Sequence, residues 1–217
     1  MKNTSSIFFY KLMIALLCVL LIVALVGCNN KSGADNQGNE STEYEQDDSS
    51  KQYSFVIPQS LFFGKTGEVL VDEISDSTAT FLLKTGEEVP VSQMISSAQL
   101  NEDGTVTMYF TENQLEQYKI FLRDCAALYT YIDSYPETSI KSTEFPNNDL
   151  TEIIVYVDSN IYESTSTDGI FANAYTATNM GMYQVLNGVN TDEWSAHVTV
   201  KDYKTGDIVT EDYYPND

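Results

Sequence analysis

The chain has 217 residues, with 32 Asp and Glu against 11 Lys and Arg, a formal charge of −21 and a single histidine. So acidic a surface repels nucleic acid and anionic lipid, which excludes direct nucleic-acid binding from the expected functions. Three cysteines and one histidine supply neither a disulfide framework nor a zinc cluster.

The first 27 residues have the layout of a secretion signal. Lys2 and Lys11 precede the charge-free run LMIALLCVLLIVA at 12–24. A spanning helix needs about 20 apolar residues, so a cleaved signal fits this run better than the competing reading, a permanent transmembrane anchor. Leu25-Val26-Gly27-Cys28 closes the run. This quartet resembles the lipobox of bacterial lipoproteins, in which aliphatic and small residues lead to an obligatory Cys. The resemblance implies that the Cys28 thiol accepts a diacylglyceryl group and becomes the first residue of the mature protein. It also implies a lipid anchor, with palmitate-type chains, on the extracytoplasmic face of the cell membrane. Two acyl chains, at about 0.8 kcal/mol per buried methylene, hold a protein stably where one would be marginal. Cys18 would leave with the signal, so Cys125 remains as the only free thiol, on the apolar stripe of an expected helix.

From Asn29 to Gln52 the composition turns to Asn, Ser, Gly, Gln, Asp and Glu, with Tyr44 the only aromatic residue. Such a segment buries too little surface to fold, and as a flexible coil it spans about 27 Å. The expected organisation is a signal peptide at 1–27, an acidic tether at 28–52 and one domain at 53–217, long enough for a core of its own. That domain holds 26 acidic and 7 basic residues.

Within the domain, YSFVIPQSLFF (53–63) and TATFLLK (78–84) read as strands, so 53–100 is expected to be mostly extended, with a short helix in VSQMISSAQL. TVTMYF (105–110) alternates as a strand. Thr111 and Gln114 fit a capping box, opening a helix that carries Leu115, Tyr118, Leu122, Cys125, Ala126, Tyr129 and Ile132 on one face and ends at Tyr135-Pro136. TSIKSTEF (138–145) and TEIIVYVD (151–158) form a hairpin. Asp168-Gly169 begins a second helix, with Ile170, Phe171, Ala174, Tyr175, Thr178, Met182, Val185 and Leu186 aligned, and Asn187-Gly188 ends it. AHVTVKDY (196–203) and IVTEDY (208–213) make a second hairpin.

The order predicts an α+β fold: an antiparallel sheet with two helices on one face, and a ferredoxin-like β-α-β-β-α-β core with extra N-terminal strands. A cystatin-like layout shares the composition. VIPQSLFF, EDGTVTMYFTENQ and the stretch YES…DG…GMYQ also resemble a group of uncharacterised surface lipoproteins of Gram-positive gut-type bacteria. That resemblance implies a surface lipoprotein and carries no catalytic residue with it.

Reactive clusters are sparse. His197 stands alone in an alternating strand, where a packed histidine is the simpler reading. The acids could supply the paired carboxylates of a glycosidase, yet none is set apart by apolar neighbours. The loop DSNIYESTSTDG gathers Asp158, Asn160, Glu163 and Asp168 with hydroxyls between them, hard oxygen ligands of the kind that suit calcium. The spacing is not that of an EF-hand, and Asp168 serves equally well at a helix start. Fifteen tyrosines could form a glycan- or peptide-binding face, although packing accounts for most of them. The expected function is therefore a membrane-anchored, non-catalytic binding or scaffolding module at the cell envelope, with no resident cofactor. A small cell-surface hydrolase using paired carboxylates is the rival. A solute-binding lipoprotein is a third reading, disfavoured because so short a domain rarely makes two lobes.

Overall fold

Thr111 ends a strand and opens a helix. Its hydroxyl accepts the Gln114 amide at 3.3 Å, and the Gln114 side chain accepts the Thr111 amide at 2.8 Å. This is the expected capping box, and it satisfies two donors that the first turn would otherwise leave bare. The computed structural model describes residues 51–215, all within one unit, Ser49–Asp217. The signal segment, Cys28 and the tether as far as residue 50 lie outside the described residues.

The elements are β1 (Gln52–Ile57), a 3-10 turn (Gln59–Leu61), α1 (Gly67–Ser75), β2 (Thr80–Leu82), β3 (Glu88–Pro90), a second 3-10 turn (Val91–Gln93), β4 (Ser97–Leu100) and β5 (Val106–Thr111). Then follow α2 (Glu112–Ala126), α3 (Tyr129–Ser134), β6 (Ile140–Glu144), β7 (Glu152–Val157), α4 (Thr167–Ile170), a π-helical turn (Phe171–Tyr175), α5 (Thr176–Leu186), β8 (Ala196–Asp202) and β9 (Ile208–Tyr214). The fold class is α+β.

The strand order departs from the ferredoxin-like one. That order would put the strand at 105–110 in one sheet with those at 138–145, 151–158 and 196–203. Instead β5 lies between β1 and β4 in a three-stranded sheet, and β6-β7-β8-β9 form a separate four-stranded one. The cause is the match between two apolar faces. Tyr53, Phe55 and Ile57 stand opposite Phe110, Met108 and Val106, and Val106, Met108 and Phe110 are fully buried. A strand with that alternation takes the neighbour whose face completes the same layer. The second sheet is mixed, not purely antiparallel. Both expected hairpins, β6–β7 and β8–β9, are antiparallel, but β7 and β8 run parallel, from Glu152↔His197 to Val157↔Asp202. A parallel pair needs a crossover, which the helical segment 167–186 provides. The helices α2 and α5 pack on each other; α2 also touches β1 and β5, and α5 touches β1 and β8. The two helices therefore serve two sheets, not one common face.

Three helical expectations need correction. The segment 53–100 contains α1, capped by Thr66, whose side chain accepts from Val69, and VSQMISSAQL divides into a 3-10 turn and β4. The helix expected from Thr111 does end at Tyr135, but it breaks at Leu128, which adopts φ 57° between α2 and α3. This left-handed conformation is costly for a branched residue, and burial of its side chain to 1% exposure offsets the cost. Thr176 and Thr143 donate to the Ala126 and Ala127 carbonyls that the break leaves open. In the second helix the π turn inserts an extra residue per turn and so shifts the phase. Ile170, expected inward, is exposed, while Ala172, Ala177, Met180 and Gly181 face the core. Gly181 is required there: a Cβ would lie 2.6 Å from the Trp194 ring and 2.7 Å from Leu61.

Candidate functional site

β7 and β8 end side by side at Val157 and Asp202. The carboxyl edge of a parallel pair is where loops are free to build a site on a rigid base. Here those loops are 158–166, which contains the nominated DSNIYES stretch, and the turn 203–207. A shallow groove of about 340 Å³ lies between them, lined by Ser159, Asn160, Asp202, Lys204, Thr205, Asp207 and Val209.

Asp202 organises this edge. One carboxylate oxygen accepts the Lys204 and Thr205 amides, both at 2.9 Å, and the other accepts the Ser159 amide at 3.2 Å and the Ser159 hydroxyl. The Ser159 hydroxyl, followed by the Thr205 and Lys204 amides, holds the carboxyl far below the usual carboxylate range. Asp202 thus ties the loop after β7 to the turn after β8 and stays ionised. Asp158 caps its own loop, accepting the Asn160 amide at 3.2 Å and the Asn160 side chain at 2.8 Å.

The four residues nominated for calcium do not converge. Asp158 and Asn160 bond to each other at this edge. Asp168 turns toward the start of β6, where it accepts the Tyr131 hydroxyl at 2.6 Å, the Thr138 hydroxyl at 2.8 Å, the Ser139 amide at 2.6 Å and the Ser139 hydroxyl. Glu163 offers its backbone carbonyl to Ser166. Among the described residues no group of three or more His, Cys, Asp or Glu side chains is placed to hold a metal ion. Asp168 does lie in the first turn of α4, as expected of a helix start, while the cap itself is Ser166, which accepts the Gly169 amide at 3.3 Å. Burial raises the Asp168 pKa, but the four donors outweigh it and leave the carboxyl below its ordinary value.

His197 lies on the open face of the second sheet. Its ring stacks on Tyr213 with centroids 4.3 Å apart and planes 7° from parallel. Nε2 stands 3.2 Å from Glu211 Oε1 and 3.3 Å from Thr199 Oγ1. In a catalytic triad the acid and the nucleophile bond opposite ring nitrogens. Here both partners meet the same nitrogen, so the ring cannot pass a proton from one to the other. The arrangement is a cross-strand packing cluster.

Cys125 is half-buried; desolvation pushes its thiol up to about 12 against the lowering effect of the Tyr175 hydrogen bond, which leaves it protonated near neutral pH. Most of the described tyrosines serve packing: Tyr118 and Tyr175 lie in or against the core, and Tyr131 stacks on Phe171 at 4.3 Å. Among the described residues Tyr203 and Tyr213 are the most exposed tyrosines. Asp202, Ser159 and Tyr131 were not singled out in the sequence. The run Asp202-Tyr203-Lys204-Thr205-Gly206 at a strand end is a local hint of a turn clamp, but no local signal marks the pairings of Ser159 with Asp202 or Tyr131 with Asp168.

Among the described residues no helix is long and apolar enough to cross a membrane. No family model, no curated protein and no solved structure matches the chain.

Proposed function

We propose that the protein is an extracytoplasmic lipoprotein, acylated at Cys28 and carrying a non-catalytic binding module on an acidic tether. The observation that supports a binding role best is the use made of Asp168 and Asp202. Each engages both carboxylate oxygens with four protein donors. A carboxylate so engaged braces loops; it is poorly placed to accept or release a proton during a reaction. Bracing leaves a rigid carboxyl edge at which Lys204, Thr205 and Asp207 line the open groove, and preorganised loops lower the entropy lost on binding.

The test uses the full chain in detergent micelles, mixed with peptidoglycan fragments and with envelope protein fractions. Retention without chemical change of the retained material supports the module. Turnover of chromogenic glycosides that is lost on replacing an acid of the groove, such as Asp207→Asn, would favour a hydrolase instead.

A further inference from the structure

β9 is the terminal strand of the four-stranded sheet, and among the described residues no strand pairs with its outer side. The direction of its backbone groups follows from its neighbours. His197 donates its amide to Thr151 across the parallel side at 2.8 Å, so its main-chain groups turn toward β7. His197 and Tyr213 are therefore a non-hydrogen-bonded pair of the antiparallel ladder, and the N–H and C=O of Tyr213 point outward. The same holds two residues away for Glu211, opposite Thr199.

The opposite edge, β6, carries Lys141 and a bulge between Ile140 and Ser142, devices that blunt an edge against pairing. β9 has neither Lys nor Pro from 208 to 214, and its one register shift, opposite Val200/Lys201, leaves Thr210–Tyr214 in a regular ladder. Its side chains are accessible: Ile208 is 57% exposed, Val209 41% and Tyr213 63%. Glu211 stands on the outer face with Tyr213, and Asp212 on the other.

We infer that the outer edge of β9 accepts an extended basic peptide segment as a fifth strand. Main-chain bonds to Glu211 and Tyr213 would supply affinity, and lysine or arginine side chains on both faces would meet Glu211 and Asp212. A second copy of this chain is the poorer occupant, because antiparallel pairing of two β9 strands brings Glu211 and Asp212 of each copy together, in a domain with 26 acids against 7 bases. The inference rests on the binding-module reading above and names its surface and its partner chemistry.

The experiment titrates the full-length chain, in micelles, with a blocked octapeptide of Val and Thr carrying four lysines. Two controls accompany it: the same peptide N-methylated at every second residue, and its Glu-for-Lys version. Expected are binding that weakens with salt, slowed hydrogen exchange at the Tyr213 amide, and at least tenfold weaker binding by both control peptides. Glu211→Lys should cost tenfold or more through charge. Glu211→Pro should do so by removing an outward N–H that β8 does not use, while a retained thermal midpoint reports an intact fold. Equal binding of the N-methylated peptide, equal binding by both variants, or no binding at millimolar peptide would overturn the inference. In each of those outcomes the binding-module reading is decided separately, by retention of envelope fractions.

Discussion

Tyr131 donates its hydroxyl to the Asp168 carboxylate at 2.6 Å, across 37 positions of sequence. Through that carboxylate α3 is joined to α4 and to Thr138 and Ser139, which lead into β6. Ser139 and Thr138, the other donors, are 1% and 5% exposed, so removing the acceptor strands buried groups away from water. Asp168→Ala should destabilise the domain by roughly 2–4 kcal/mol, and Tyr131→Phe by about 1 kcal/mol. Urea unfolding midpoints at neutral pH measure both. Equal, negligible effects would mean that the carboxylate does not brace this corner.

Acid stability should follow Asp168 and Asp202. Both have folded pKa values held below the ordinary 3.8, so the stability they contribute is fully present above the unfolded value. It is lost as pH falls through the lower folded values. Thermal midpoints between pH 5 and pH 2 should therefore drop less steeply for Asp202→Asn than for the native chain. Parallel acid limbs for the two proteins would contradict the clamp.

Close packing at Gly181 gives a steric prediction. Ala at this position brings a methyl against the Trp194 ring, and Val adds two more carbons where a Cβ alone already sits 2.6 Å from that ring. Gly181→Ala should cost about 1–3 kcal/mol and Gly181→Val more, read by the same unfolding assay with Trp194, the only tryptophan, as the fluorescent reporter.

Cys125 should resist modification. With its thiol pushed up to about 12 by burial, iodoacetamide at pH 8 should leave the folded domain unlabelled at this residue and label it once denaturant unfolds the chain. Rapid labelling of the native protein would place the thiol in water.

Much of the local structure was legible in the residues. Thr111 and Gln114 announced their capping box, Asn187-Gly188 its helix end, and the alternation of 105–110 and 196–203 their strands, because each depends on neighbours a few positions away. Pairing between distant strands was not legible in the same way. Nothing in Tyr53-Ser54-Phe55 says that its partner is Phe110 and Met108 and not a strand of the other sheet. The break at Leu128 and the π turn at Phe171–Tyr175 leave no mark in the sequence because an apolar stripe continues through both; burial of Leu128 and tertiary donors to open carbonyls decide them. The loop at 158–168 is rich in oxygen ligands, and its Ser159 and Asn160 do reach the carboxyl edge. Asp168 leaves that loop for Tyr131, Thr138 and Ser139, a choice fixed by packing more than by spacing.

The proposed acylation of Cys28 is measured most directly by growing cells with radiolabelled palmitate and recovering the protein. The account predicts a labelled chain that partitions into the detergent phase, and a Cys28→Ser chain that carries no label and is not held by membranes through acyl chains. An unlabelled native chain recovered from the cytosol, or a Cys28→Ser chain retained by membranes as firmly as the native one, would contradict it.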